Sequence, residues 1–193
     1  MAATSSMMLP LGTPMPNFSL PDVRTGRLFS PADFAGQKAL LVVFLCAHCP
    51  FVHHVRRELA RLSRDCAGKG AGLLAISSND IENYPKDAPE PTAEFAREAG
   101  FDFPVLFDET QVVAKAFIAA CTPDFFLFDA DRRLAYRGQL DSTRPGGAEP
   151  DGSDLRAALD AVLAGLPADA NQKPSIGCNI KWKPGNEPDY FRH

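Results

Sequence analysis

Between Lys38 and Leu62 the chain reads KALLVVFLCAHCPFVHHVRRELARL. Seven apolar residues, Ala39 to Leu45, run unbroken into Cys46-Ala47-His48-Cys49. A continuous apolar run of this length reads as a strand buried on both faces, the state of a parallel sheet covered by helices. Past Pro50, the residues Val52, Val55, Leu59, Leu62 and Cys66 recur at spacings of three and four. Arg56, Arg57, Glu58, Arg61 and Arg64 fall on other faces, which predicts an amphipathic helix. Pro50 fits its first turn, where no amide donor is needed. Both cysteines therefore fall where a central strand hands over to a helix N-terminus, a setting that stabilises a thiolate.

Two residues between the cysteines bring both sulfurs onto one turn, within reach of a disulfide. Cys46, read as the cysteine at the helix start, is expected to have the lower pKa and to be the nucleophile. Cys49 is then the resolving thiol. His48 adds a donor, and a positive charge when protonated, that favours the Cys46 thiolate. CxxC also binds zinc, but zinc sites draw on a second ligand pair. Here only His53 and His54 follow, on the same helix, and no second CxxC appears. Redox chemistry without metal or cofactor is the preferred reading. Pro50 after Cys49 rules out the CxxCH haem signature.

Strand, CxxC and helix together resemble the thioredoxin superfamily. Pro16-Asn17-Phe18-Ser19-Leu20-Pro21-Asp22, Gly26 and Phe34-Ala35-Gly36-Gln37-Lys38 resemble its redoxin branch (AhpC/TSA), which includes peroxiredoxins. The runs SNDIENYP, FDETQVVAKAF, CTPDFFLFD, YRGQLD and PSIGCNIKWKPGNEP are similar to a peroxiredoxin-like subgroup carrying CxxC, so the resemblance spans about Pro16 to Pro188. It implies an α/β thioredoxin fold, a central mixed sheet flanked by helices; the turn at Asp22–Gly26 between Asn17–Leu20 and Arg27–Phe29 reads as an added N-terminal β-hairpin, and the tail as an extended C-terminal arm. It also implies that Pro123 is cis, faces the CxxC, and leaves the backbone at Thr122 free to pair with a substrate as an added strand.

The sequence departs from two family patterns. Ordinary thioredoxins carry a buried acid in the strand before CxxC, where this chain has Leu40. The peroxiredoxin proline and threonine positions hold Val42 and Cys46, and the peroxide-activating arginine is replaced near Thr122-Pro123. The expected activity is thiol–disulfide exchange. The alternative is a thiol peroxidase with Cys49 peroxidatic and Cys46 resolving. A weaker one is a non-enzymatic binding or metal-holding module. Expected partners are protein or small-molecule disulfides, or peroxides, and a cellular thiol reductant.

With 193 residues and 45% apolar content, the chain can bury one core. A net charge of −4 and a pI near 5.5 argue against nucleic-acid or anionic-membrane partners. No stretch has the length of a membrane span or the pattern of a signal peptide. Five cysteines do not suggest a disulfide framework, which points to a cytoplasmic, reducing setting.

Residues 1–15 read as a loose lead-in, 16–165 as the redoxin domain, and 166–193 as an arm. Gly72 to Ser77 reads as a second buried strand. A right-handed crossover would set Ser78-Asn79-Asp80 beside the CxxC, making Asn79 a groove candidate with Thr122. The loop 79–91 is long, polar and proline-rich, with Tyr84 its only aromatic. The arm carries Trp182, Ile176, Ile180, Tyr190 and Phe191 with no helical or strand period. It is expected to wrap the domain or a neighbouring subunit of a homo-oligomer. Cys178 in the arm is a candidate third redox thiol, though a packed structural cysteine is the commoner reading for it, as for Cys121.

Overall fold

The computed structural model describes residues 3–191. Its centre is β4 (Ala39–Phe44), every residue of which is buried. Alternate side chains feed two separate cores, because successive residues of a strand point to opposite faces. Leu41 and Val43 face one core with Val52, Val55 and Leu59, while Leu40, Val42 and Phe44 face the other with Phe117 and Phe126. Each such side chain contributes about 1.5–3 kcal/mol relative to exposure.

Ahead of β4 come β1 (Ala3–Ser5) and the short hairpin of β2 (Leu20–Pro21) and β3 (Leu28–Phe29). Helix α1 (Pro50–Lys69) follows β4 and runs through Gly68 to end at Gly70, whose φ of 76° is left-handed. Glycine adopts that conformation without a Cβ penalty, which makes it a helix stop. The apolar side of α1 is buried as its spacing predicts. Glu58, read from sequence as part of a solvated face, is also buried, because it ties α1 to the last helix by accepting from Arg61 and Arg156 at 2.6 Å each.

The chain continues through β5 (Ala71–Ser77), α2 (Pro89–Glu98), β6 (Val105–Phe107), α3 (Val112–Ala116), β7 (Cys121–Thr122), β8 (Asp124–Phe128), β9 (Leu134–Gly138), α4 (Ser153–Leu163) and β10 (Ile176–Asn179). The central sheet has the order β6-β5-β4-β8-β9. The β5 and β6 pairings are parallel, whereas β8 and β9 run antiparallel, with Leu40 opposite Phe128 and Phe44 opposite Asp124. This is the mixed sheet flanked by helices that defines the thioredoxin fold.

A second sheet, of order β1-β10-β7, lies beside the CxxC. Residues 3–5 are therefore not a loose lead-in: Ala3, Thr4 and Ser5 pair with Cys178, Gly177 and Ile176. The tail beyond β10 closes the second core with Ile180 and Trp182, whose ring meets Tyr190 and Phe191 edge-on at 6.4 Å. Here the arm covers its own domain.

One ion pair lies wholly inside. Arg137 and Asp124 have no exposed side-chain surface and approach to 3.5 Å, with the guanidinium over the Phe126 ring. Burial holds the Asp124 carboxyl up at about 6. The native state thus keeps a proton that the unfolded chain releases near pH ~3.9. This site's contribution to stability declines as pH rises between those two values, because the native state binds the proton more tightly. Above that range both partners are charged. Asp124→Ala should then leave Arg137 buried and uncompensated, lowering stability by about 3–5 kcal/mol in urea unfolding. An unchanged midpoint would show that the pair is dispensable.

Candidate active site

Pro50 decides how the two cysteines differ. A residue before proline is pushed out of the helical region, and Cys49 is extended at φ −78°, ψ 122°. The helix therefore begins at Pro50 with Cys49 as its N-cap, while Cys46 lies three residues earlier in the connecting turn. The expectation that Cys46 sits nearest the helix dipole is corrected: that position belongs to Cys49.

Both sulfurs are buried against β7. The Cys46 sulfur lies 3.3 Å from the Thr122 hydroxyl, and the Cys49 thiol donates to the Thr122 carbonyl at 3.1 Å. The Thr122–Pro123 peptide is cis. On its far side the Cys49 sulfur is 2.9 Å from that of Cys178. Cys49 thus stands between two other thiols.

These contacts divide the titration. A hydrogen bond from the Cys46 thiol, with further help from Cys178, Thr122 and the Val52 amide, lowers Cys49 to about 5 against the cost of burial. The same hydrogen bond, burial and the nearby Asp87 charge push Cys46 well up. Cys178 is raised to about 12, first by burial and then by its bond to Cys49. Burial also lifts Cys66 to about 11 and Cys121 well above the ordinary thiol range.

His48 is held by a residue that the sequence reading did not single out. Asp87, fully buried, contacts the His48 Nδ1 through Oδ2 at 2.6 Å and accepts from the His48 amide through Oδ1 at 3.3 Å. Asn79 donates to the same carboxylate at 2.8 Å, and its own carbonyl accepts from the Lys181 amide at 2.9 Å. Asn79 is therefore corrected from a groove residue to a clamp between the loop and the arm. Tyr84 stacks on the imidazole at 5.9 Å and 10°, and the Lys181 ammonium lies 5.7 Å from the centre of the Tyr84 ring. The signal available for Asp87 was its place in a long polar loop leaving the second buried strand.

A thiol sulfur, an imidazole nitrogen and a carboxylate oxygen from Cys46, His48 and Asp87 lie within 4.8 Å of one another. They could offer three donors to a metal, whereas structural zinc takes four. His53 and His54 do not join them, being bonded to the Ala47 carbonyl and the Thr143 hydroxyl.

The expected open edge at Thr122 is filled. β10 pairs antiparallel with β7, Cys178 opposite Thr122 and Asn179 opposite Cys121. Gly177 permits this approach, since a Cβ there would lie 2.1 Å from the Thr122 carbonyl oxygen. An open cleft of about 640 Å³ runs instead beside Ala47 and His48, with His53, Lys86, Glu94 and Phe95 along its walls.

A strand–CxxC–helix unit facing a cis-proline segment in a mixed sheet defines a thioredoxin-fold thiol protein. The Redoxin family model matches residues 10–159, and the chain belongs to that family, the redoxin branch of the thioredoxin superfamily. A solved structure of an uncharacterized conserved protein from Geobacillus kaustophilus is 52% identical. It superposes with a TM-score of 0.92 over 95% of this chain and 98% of its own. A hypothetical protein from Sinorhizobium meliloti is 49% identical, with a TM-score of 0.91 over 93% and 98%. A thiol:disulfide interchange protein of the thioredoxin family from Chlorobium tepidum shares the fold at 20% identity, with a TM-score of 0.61 over 81% and 99%. No curated protein matches the chain.

The thiolate should appear as pH rises through about 5 and be lost as pH falls through it. Thiolate ultraviolet absorbance of the reduced protein measures this directly. The transition should vanish in Cys49→Ser and persist in Cys46→Ser. The opposite pattern would return the low pKa to Cys46.

Proposed function

We propose that this redoxin is a thiol–disulfide oxidoreductase working through the Cys46–Cys49 couple in a reducing, cytoplasmic setting. The observation that carries the reading is the vicinal thiol pair set against Thr122–Pro123, with the His48–Asp87 pair on the Cys46 side. Cys46 lies beside His48, whose imidazole is 17% exposed and lines the cleft, whereas Cys49 is enclosed by Thr122, Cys178 and the helix. That asymmetry favours Cys46 as the sulfur that meets substrate.

In this mechanism the Cys46 proton passes along the shared hydrogen bond to Cys49, and the Cys46 thiolate attacks the substrate disulfide. One substrate sulfur departs as a thiol and the other remains bonded to Cys46. Cys49 then gives up its proton, helped by its remaining contacts to Cys178, Thr122 and the Val52 amide, and attacks the Cys46 sulfur. The second substrate thiol leaves, and the enzyme holds the Cys46–Cys49 disulfide until a cellular thiol reduces it. His48, oriented by Asp87, exchanges the protons with solvent. Because β10 holds the backbone edge of β7, the cleft beside His48 is the approach for the disulfide, which favours small molecules or a protruding loop.

A second reading, a thiol peroxidase attacking through Cys49, draws support from the depressed Cys49 pKa. Against it, the peroxiredoxin proline and threonine positions hold Val42 and Cys46, and the buried Arg137 is committed to Asp124 and to the Ile118 carbonyl, so it does not replace the missing peroxide-activating arginine. Trapping separates the two. With oxidised glutathione, Cys49→Ser should accumulate a mixed disulfide on Cys46, while Cys46→Ser accumulates none. Rapid consumption of one equivalent of hydrogen peroxide by Cys46→Ser, leaving a sulfenic acid on Cys49, would establish the peroxidase instead.

The proton route gives a further expectation. His48→Ala should slow disulfide exchange by about 10²-fold, the low end for a positioned acid–base group. Asp87→Asn should slow it less and shift its pH profile. Stopped-flow oxidation of the reduced protein would show both, and unchanged rates would remove His48 from the mechanism.

A further inference from the structure

The arm does more at this site than cover it. β10 lies where an extended substrate would add to the β7 edge, and it presents a cysteine, Cys178, at the register position opposite Thr122. Several independent contacts fix that position. Ser175 donates its hydroxyl to the Pro123 carbonyl at 2.7 Å, and the Ile180 amide donates to the Ala120 carbonyl at 3.2 Å. β1 pairs along the other edge, with Ala3 opposite Cys178. Gly177 brings the two backbones closer than any side chain would permit. The outcome is a sulfur–sulfur separation of 2.9 Å between Cys49 and Cys178, less than 1 Å beyond a disulfide bond of ~2.05 Å.

We propose that Cys178 is a third redox thiol, a built-in substrate that takes the disulfide over from the CxxC. This rests on the Cys46–Cys49 couple proposed above. From the oxidised couple, Cys178 loses its proton and attacks the Cys49 sulfur. The Cys49–Cys178 bond forms, the Cys46–Cys49 bond breaks, and Cys46 leaves as a thiolate that takes up the proton. One disulfide replaces another, so no outside oxidant or reductant takes part. Two of the causes that raise the Cys178 pKa are its hydrogen bond to Cys49 and the charge there. Both disappear once Cys49 is oxidised, which leaves burial as the main restraint on the thiol, opposed by the Lys181 charge. The exchange staples β10 over the site and leaves Cys46 reduced beside the His48 cleft.

The test is a redistribution experiment on the full chain. Reduced wild-type protein is oxidised briefly with diamide, a small diazene oxidant, which is then removed. Samples are acid-quenched over time, their free thiols blocked with N-ethylmaleimide, and their disulfide peptides mapped. The Cys46–Cys49 bridge should decline to an equilibrium level while Cys49–Cys178 rises, with the total constant and the ratio independent of protein concentration. Cys46→Ser should form only the Cys49–Cys178 bridge, and Cys178→Ser only Cys46–Cys49. A wild-type protein that holds Cys46–Cys49 alone once redistribution has stopped overturns the proposal, even if Cys46→Ser misfolds. A wild type that never forms Cys46–Cys49 overturns the oxidoreductase reading and this exchange with it, so the two failures are distinguishable.

Discussion

The ring of Pro50 is the constraint on which the thiol site depends, because its Cδ crowds the backbone of the residue before it. Proline denies its predecessor a helical conformation, so Cys49 stays extended and α1 starts one residue later. Cys49 is thus the N-cap, at the opening turn of the helix, and Cys46 lies three residues outside it. The extended backbone also aims the Cys49 sulfur at β7 and β10 rather than along the helix, between the sulfurs of Cys46 and Cys178. This local backbone rule sets where the Cys49 sulfur lies and which neighbours it can exchange with, and one of those neighbours, the Cys46 thiol, does most to make it acidic.

Around that centre the polar groups form one connected set. Asp87 binds His48 and Asn79, Asn79 binds Lys181 of the arm, and Gln111 binds the Ser78 and Lys181 carbonyls at 2.7 and 2.8 Å. Buried polar groups carry a large penalty when left unpaired. Removing the arm would strip partners from Asn79 and Gln111 at once. The arm is thus held by the same network that orients the imidazole, and its docking and the geometry of His48 are linked.

The sequence made β4, α1 and β5 plain, because their apolar periods are strong and local, and the fold class followed from them. The CxxC was legible as a short motif at the junction of that strand and helix, whereas the cis Thr122–Pro123 segment was legible only through the family resemblance. Asp87 was not, since nothing within the loop 79–91 marks which of its acids turns inward; only the tertiary meeting with His48 does. β10 was hidden for a different cause. Ile176-Gly177-Cys178-Asn179 has no alternation, and it becomes a strand through backbone bonds to β7 and β1. The place of Cys49 at the N-cap was legible in principle from Pro50, whereas the acidity order rests first on the hydrogen bond between the two thiols.

The pairing of Ala3–Ser5 with Ile176–Asn179 bears on how the molecule comes into being. Contacts this distant along the chain form only after most of it exists. During synthesis, residues 39–69 emerge long before residue 178, so the nascent polypeptide displays its CxxC with no cover over the β7 edge. Closing that edge waits for residues 176–179, and it draws in both extremities of the described chain. A newly made molecule therefore passes through an interval in which its thiols are more open to passing oxidants or disulfides than they are once folding is complete.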